Sequence, residues 1–146
     1  MHNEAFFPEL RPQPEIHIVL PATPPILIAE DEPFVALELA LAVKDAGGIP
    51  VGPAGSVREA LELLASTQVA AAILDVNLSD GDVFPVLDVL MGRGVPVIVQ
   101  TGLAVPLELR SRYPGLTVLA KPIQAAVLLA KLQALLAGGR DDTRGS

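Results

Sequence analysis

The chain has 146 residues, no cysteine and a formal net charge of −7, with a pI near 4.7. The absence of thiols excludes a disulfide scaffold, a thiol nucleophile and thiolate metal ligands. An acidic chain whose Lys and Arg are scattered has no patch for neutralising phosphates, which argues against nucleic-acid binding. A hydrophobic content of 51% is ample for one buried core. No apolar run approaches the ~20 residues of a membrane span, and Met1-His2-Asn3-Glu4 has no basic leader region. A single cytoplasmic domain is the expectation.

Residues 1–24 carry Pro8, Pro12, Pro14, Pro21 and Pro24, which disfavour helix interiors and central strands, so this stretch reads as an N-terminal extension. Within it Ile16-His17-Ile18-Val19-Leu20 is apolar enough to dock on the domain, but a terminal segment is more readily a mobile arm, and that is the expectation. From residue 25 short apolar runs alternate with helical ones, the pattern of a parallel sheet covered on both faces. The runs are Pro25–Ala29, Ile49–Gly52, Ala70–Leu74, Val97–Gln100 and Leu116–Ala120.

Pro33 opens the first helix, which Gly47-Gly48 stop. Ser56 and Glu59 have capping-box spacing for a second helix ending near Ala65. After the Ser79-Asp80-Gly81 turn, Asp82 is the expected cap of a third helix with Pro85 in its first turn, ended by Gly92 and Gly94. Pro106 and Pro114 make the fourth helix short or irregular. The fifth runs from Ile123 to about Ala137. Residues 25–138 thus form an α/β domain, a doubly wound five-stranded parallel sheet of flavodoxin-like strand order 2-1-3-4-5, followed by a tail at 139–146.

Four of these runs end on residues with chemistry. Glu30 and Asp31 follow the first, Asp75 the third, Thr101 the fourth and Lys121 the fifth. Ligands in open α/β sheets sit at the carboxyl ends of the strands, so three carboxylates, a hydroxyl and an ammonium would share one crevice. Carboxylates at a helix start are by themselves unremarkable, being favoured there by the helix dipole. Close carboxylates, however, raise one another's pKa unless a cation compensates. Mg²⁺ takes one or two carboxylates, several waters and a phosphate oxygen. Asp31 and Asp75 suit direct ligation and Glu30 a role through water. Thr101 and Lys121 suit a phosphoryl group. His2 and His17, the only histidines, have no metal-ligand spacing and are expected at the surface.

With Glu30-Asp31, Asp75, Thr101 and Lys121-Pro122 in this order, residues 25–138 resemble a response-regulator receiver domain of two-component systems. The resemblance implies that Asp75 accepts a phosphoryl group from a histidine kinase or phosphotransfer protein. It further implies that Glu30, Asp31, Asp75 and the backbone carbonyl of Asn77 hold Mg²⁺, and that Thr101 and Lys121 bind the phosphoryl group. Asp75-Val76-Asn77-Leu78, Val83-Phe84-Pro85-Val86 and Leu119-Ala120-Lys121-Pro122 are similar to alphaproteobacterial stand-alone receivers with an FATGY motif, which here reads Val99-Gln100-Thr101-Gly102-Leu103. Val118 stands three positions before the lysine, where typical receivers have an aromatic switch residue.

A haloacid-dehalogenase-like phosphohydrolase also combines an aspartyl phosphate with Mg²⁺, Thr and Lys. It needs a second aspartate two residues after the nucleophile, where this chain has Asn77. A binding module that is never phosphorylated is the other alternative. A receiver with no effector domain after Leu136 would act through protein contact, as a phosphate relay or as a phosphate sink, with at most slow self-dephosphorylation. Helix five carries Val127, Leu128, Leu129, Leu132, Leu135 and Leu136 around most of its circumference, and helix one carries Phe34, Val35, Leu37, Leu39, Leu41 and Val43. Both faces are therefore expected to bind a partner or a second copy.

Overall fold

Strands β1 (Pro25–Ala29), β3 (Ala71–Asp75) and β6 (Val97–Thr101) are aliphatic almost throughout, and only Pro25 among their residues is not buried. Parallel strands covered on both faces have this unalternating composition. β2 (Ile49–Ala54) and β7 (Thr117–Ala120) are more open. The computed structural model describes residues 18–102 and 104–145, with backbone alone for 139–145. His2, His17, Ile16 and Leu103 lie outside the described residues.

The five strands are all parallel, in the order β2-β1-β3-β6-β7, the expected 2-1-3-4-5 arrangement of the main strands. β2 runs to Ala54 instead of stopping at Gly52 because a bulge lets it continue beside β1: the register slips between Leu27 and Ala29. Gly52 makes that possible at φ +96, since a Cβ there would stand 2.7 Å from the Ala54 nitrogen and 3.0 Å from the Ile28 oxygen. An antiparallel pair, β4 (Asn77–Leu78) with β5 (Gly81–Asp82), was not expected. It forms because the turn at Ser79-Asp80 is followed at once by Gly81 at φ +144, a conformation that suits glycine.

Helix α1 (Pro33–Asp45) begins on its proline as expected. At the start of α2 (Val57–Ser66) the Glu59 amide donates to Ser56 Oγ at 3.0 Å, and Glu59 Oε1 accepts from the Gly55 amide at 3.0 Å. Asp80 adds a second cap from a distance, accepting from the Val57 and Arg58 amides at 2.6 and 3.1 Å. These bonds, the Val57 amide first, hold the Asp80 carboxyl below its ordinary pKa. Helix α3 (Phe84–Gly92) starts later than Asp82 predicts. Asp82 belongs to the hairpin and Val83 occupies the backbone cap position, but the Asp82 carboxylate still accepts from the Phe84 amide at 3.1 Å, the side-chain cap that was expected. α4 (Leu107–Arg112) has six residues, as its flanking prolines require. α5 (Ala125–Gly145) starts two residues after Ile123 and continues through the expected tail.

One face of the sheet packs Leu27, Leu74 and Val99 against Leu64, Leu87, Leu90 and Leu109, from α2, α3 and α4. The other packs Ile26, Ile28, Ile73 and Ile98 against Leu39 and Val43 of α1 and Leu128, Leu129 and Leu132 of α5. Two expectations are corrected on this second face. Residues 18–24 do not form a mobile arm: Leu20 is buried in the core, its amide donates to the Ala46 oxygen at 2.8 Å, and Gln133 Nε2 donates to the Val19 oxygen at 3.0 Å. The apolar gain from burying Leu20 outweighs the ordering cost of this short segment. The leucines of α5 likewise form no open face. Leu128, Leu129 and Leu132 are buried and Leu135 and Leu136 half-buried, which leaves Val127 as its exposed large apolar residue among those described.

No helix of the described residues is long and apolar enough to cross a membrane.

Candidate functional site

The sheet brings the expected residues together by register. Ala29 pairs with Leu74, Asp75 with Gln100 and Thr101 with Ala120. The residues that follow β1 and β7, and those that end β3 and β6, therefore meet at one edge. Glu30, Asp31 and Asp75 each present a carboxylate oxygen within 4.8 Å of the others. Glu30 and Asp75 are buried, and Asp31 faces solvent.

Lys121 is the cation of this cluster. Its Nζ donates to Asp75 Oδ2 at 2.9 Å and to Glu30 Oε1 at 3.0 Å. Its amide donates to the Thr101 oxygen at 2.8 Å, which fixes the stem of the side chain. The other Glu30 oxygen, Oε2, accepts from the Glu32 amide at 3.1 Å, and Asp75 Oδ1 accepts from the Asn77 amide at 3.3 Å. Thr101 is buried at the end of β6, and Asn77 is exposed at the root of the hairpin.

The ion pair is unequal. Burial raises the Glu30 carboxyl above its ordinary pKa, and the Lys121 hydrogen bond opposing it does not cancel this. Burial also works to lower the Lys121 ammonium, but its hydrogen bonds to Asp75 and Glu30 prevail and raise it. The difference follows from position: the Glu30 side chain is wholly enclosed, whereas Lys121 keeps a partly exposed head shared between two carboxylates. Three carboxylates face one ammonium, an excess of negative charge that fits a divalent cation coordinated by oxygen.

Two residues of this neighbourhood escape a reading of strand ends. Gln100 is buried on β6, and its Nε2 lies 3.5 Å from Glu30 Oε1. A glutamine closing the apolar run Val97-Ile98-Val99 was the available signal, because buried strands seldom hold an amide without a partner for it. Asp80 clasps α2 across the hairpin, and no local pattern marks a contact 23 residues away.

No family model matches the chain. It is 32% identical over 114 residues to the phyllosphere-induced regulator PhyR of Methylorubrum extorquens, a match that covers 76% of this chain. The chain spans 43% of the length of that curated relative. Among solved structures it is similar to the signal receiver domain of a signal transduction histidine kinase from Syntrophus aciditrophicus, at 30% identity and a TM-score of 0.67, over 79% of this chain and 91% of that one. A response regulator receiver protein from Sinorhizobium medicae superposes with a TM-score of 0.72 at 25% identity, over 81% and 98% of the two chains.

Proposed function

The chain belongs to the response-regulator receiver family, and on that premise we propose that Asp75 is its phosphoryl acceptor, charged by a histidine kinase or a phosphotransfer protein. The observation that carries this reading is the Lys121 ammonium bridging Asp75 and Glu30 beside Asp31. A carboxylate oxygen of Asp75 attacks the phosphorus of a phosphoimidazole on the donor. The P–N bond breaks, its electron pair returns to the imidazole, which takes up a proton, and Asp75 carries an acyl phosphate.

Asp31 and Asp75, with the Asn77 carbonyl and with Glu30 through water, are the residues that would hold Mg²⁺. Bound there, the ion would offset the charge that gathers on the phosphoryl oxygens. Lys121 donates to a phosphoryl oxygen and Thr101 offers its hydroxyl to another. Because Val118 stands in the switch position, the response passes through the segment after Thr101 and not through an aromatic rotamer.

Partners reach the protein through the exposed apolar stripe of α1, Phe34, Leu37 and Leu41, whose first residue follows the acidic cluster by three positions. Phosphorylation alters that neighbourhood by about 1.5–2 negative charges. The test is labelling with acetyl phosphate in the presence of Mg²⁺. Incorporation into the wild type, its fall to background in Asp75→Asn, and its loss on chelation of the metal are expected; undiminished labelling of Asp75→Asn would refute the assignment.

A further inference from the structure

The buried glutamine beside the acidic cluster has a task that the unphosphorylated geometry leaves half-performed. Glu30 Oε1 has two donors among the described residues: Lys121 Nζ at 3.0 Å and Gln100 Nε2 at 3.5 Å. The first is a short charged bond, the second a contact at the outer limit of hydrogen bonding. A carboxylate only accepts, so the NH₂ of Gln100 and not its carbonyl faces Glu30.

Phosphorylation of Asp75 makes one of its oxygens the bridge of an acyl phosphate and places three strong acceptors beside Lys121. The ammonium has three donors, of which two already serve Asp75 and Glu30. Its third donor reaches the phosphoryl oxygens only if Nζ itself moves toward them, and that movement lengthens the 3.0 Å bond to Glu30. The Glu30 side chain has no exposed surface, so bulk solvent does not supply the lost donor and a water held by Mg²⁺ would be its one outside partner; a buried charged oxygen short of partners is among the costlier defects a fold can carry. Oε2 does not relieve it, being held by the Glu32 amide on the other side.

We infer that Gln100 is a positioning residue for the phosphorylated state, its amide closing on Glu30 Oε1 as Lys121 transfers to the phosphoryl oxygens. The placement of Gln100 suits a movement of only a few tenths of an ångström. Its backbone is pinned across from Asp75, and its carbonyl accepts the Val76 amide at 3.0 Å. The side chain alone needs to shift, in a pocket from which solvent is excluded.

The inference rests on the receiver reading above, and its test separates the two. Beryllofluoride, a tetrahedral phosphoryl mimic, is titrated at saturating Mg²⁺ into wild type and Gln100→Met, which keeps the side-chain length and removes the donor. Amide NMR shifts follow binding, with Mg²⁺ alone titrated in parallel and the metal-free melting temperature recorded. The expected result is about a tenfold weaker beryllofluoride affinity in Gln100→Met, a change of less than twofold for Mg²⁺ alone, and no loss of melting temperature. Gln100→Leu, which differs in volume, is expected to show the same weakening whatever its stability. Unchanged beryllofluoride affinity in both variants, or an equal loss for Mg²⁺ alone, overturns the inference while leaving Asp75 as the acceptor. A wild type that binds no beryllofluoride overturns the receiver reading and the inference together.

Discussion

Helices α1 and α5 lie on the same face of the sheet and are equally rich in leucine, yet one is closed and the other open. In α5 the leucines at 128, 129 and 132 enter the core beneath it, and those at 135 and 136 are half-covered. In α1 the buried residues are Ala36, Leu39 and Val43, while Phe34, Leu37 and Leu41 are exposed at 84%, 55% and 53%. At 100° per residue each of these two α1 trios falls within an arc of about 60°, and the arcs lie nearly opposite each other. Apolar content around a helix therefore reports how much surface is available for burial, not which helix supplies an interface. That choice falls to the neighbours. The Ile18–Leu20 segment adds Leu20 to the core that α1 and α5 share, with Gln133 of α5 bonded to its backbone, and nothing among the described residues does the same for the outer stripe of α1.

The covered side of α5 is most sensitive at Leu129. Placing a carboxylate at this buried position removes apolar contacts and strands a charge, and Leu129→Glu is expected to cost about 3–5 kcal/mol or more. Denaturant unfolding should show a large drop in midpoint. A variant that stays near wild-type stability while losing a partner would restore α5 as the interface.

A smaller effect concerns the mouth of the two helices, where Glu30 precedes α1 and Lys121 precedes α5. The folded-state pKa of Glu30 is raised, chiefly by burial, so the metal-free native state binds a proton more tightly than the unfolded chain. Stability from this group is fully present below the unfolded value of about 4.3 and is lost as pH rises through the folded value. The raised Lys121 acts with the same sign near the alkaline end, its contribution fading as pH climbs past about 10.4. Unfolding free energy measured against pH without metal should therefore slope downward just above pH 4.3, and Glu30→Gln should flatten that slope. A slope unchanged by the substitution would remove Glu30 as its source.

The smallest change in stability is expected on the open stripe. Leu37→Glu with Leu41→Glu touches exposed positions and should alter stability by less than about 0.5 kcal/mol per site. Acetyl phosphate, which needs no docking surface, should still label Asp75 at the wild-type rate. Transfer from a cognate histidine kinase should fall about tenfold, the consequence of losing roughly 1.4 kcal/mol of apolar contact. Equal transfer to both proteins would show that partners dock elsewhere.

Much of the fold and nearly all of the acidic site could be read along the chain, because both depend on short-range regularities. Aliphatic runs of strand length, four of the five closed by polar residues, specify buried parallel strands and place Glu30, Asp31, Asp75, Thr101 and Lys121 at the same edge of whatever sheet they form. Proline and glycine marked the helix ends for the same local reason. Asp82 does both jobs, pairing with Asn77 in the hairpin while its carboxylate accepts from the first amide of α3, so that only the start of the helix moves by one residue.

Residue type and spacing alone fix the alternation of strand and helix and the identity of the charges at the strand ends. Packing of the whole molecule was needed to bring Leu20 into the core, to leave the large apolar side chains Phe34, Leu37 and Leu41 of α1 exposed while the leucines of α5 are covered, to cap a helix with Asp80 from 23 residues away, and to stand Gln100 behind Lys121 at Glu30. Each of those outcomes depends on which surfaces meet, and burial energy rewards the arrangement that covers the most apolar area without orphaning a polar group. That condition belongs to the assembled sheet and its layers, and no single stretch of the chain contains it.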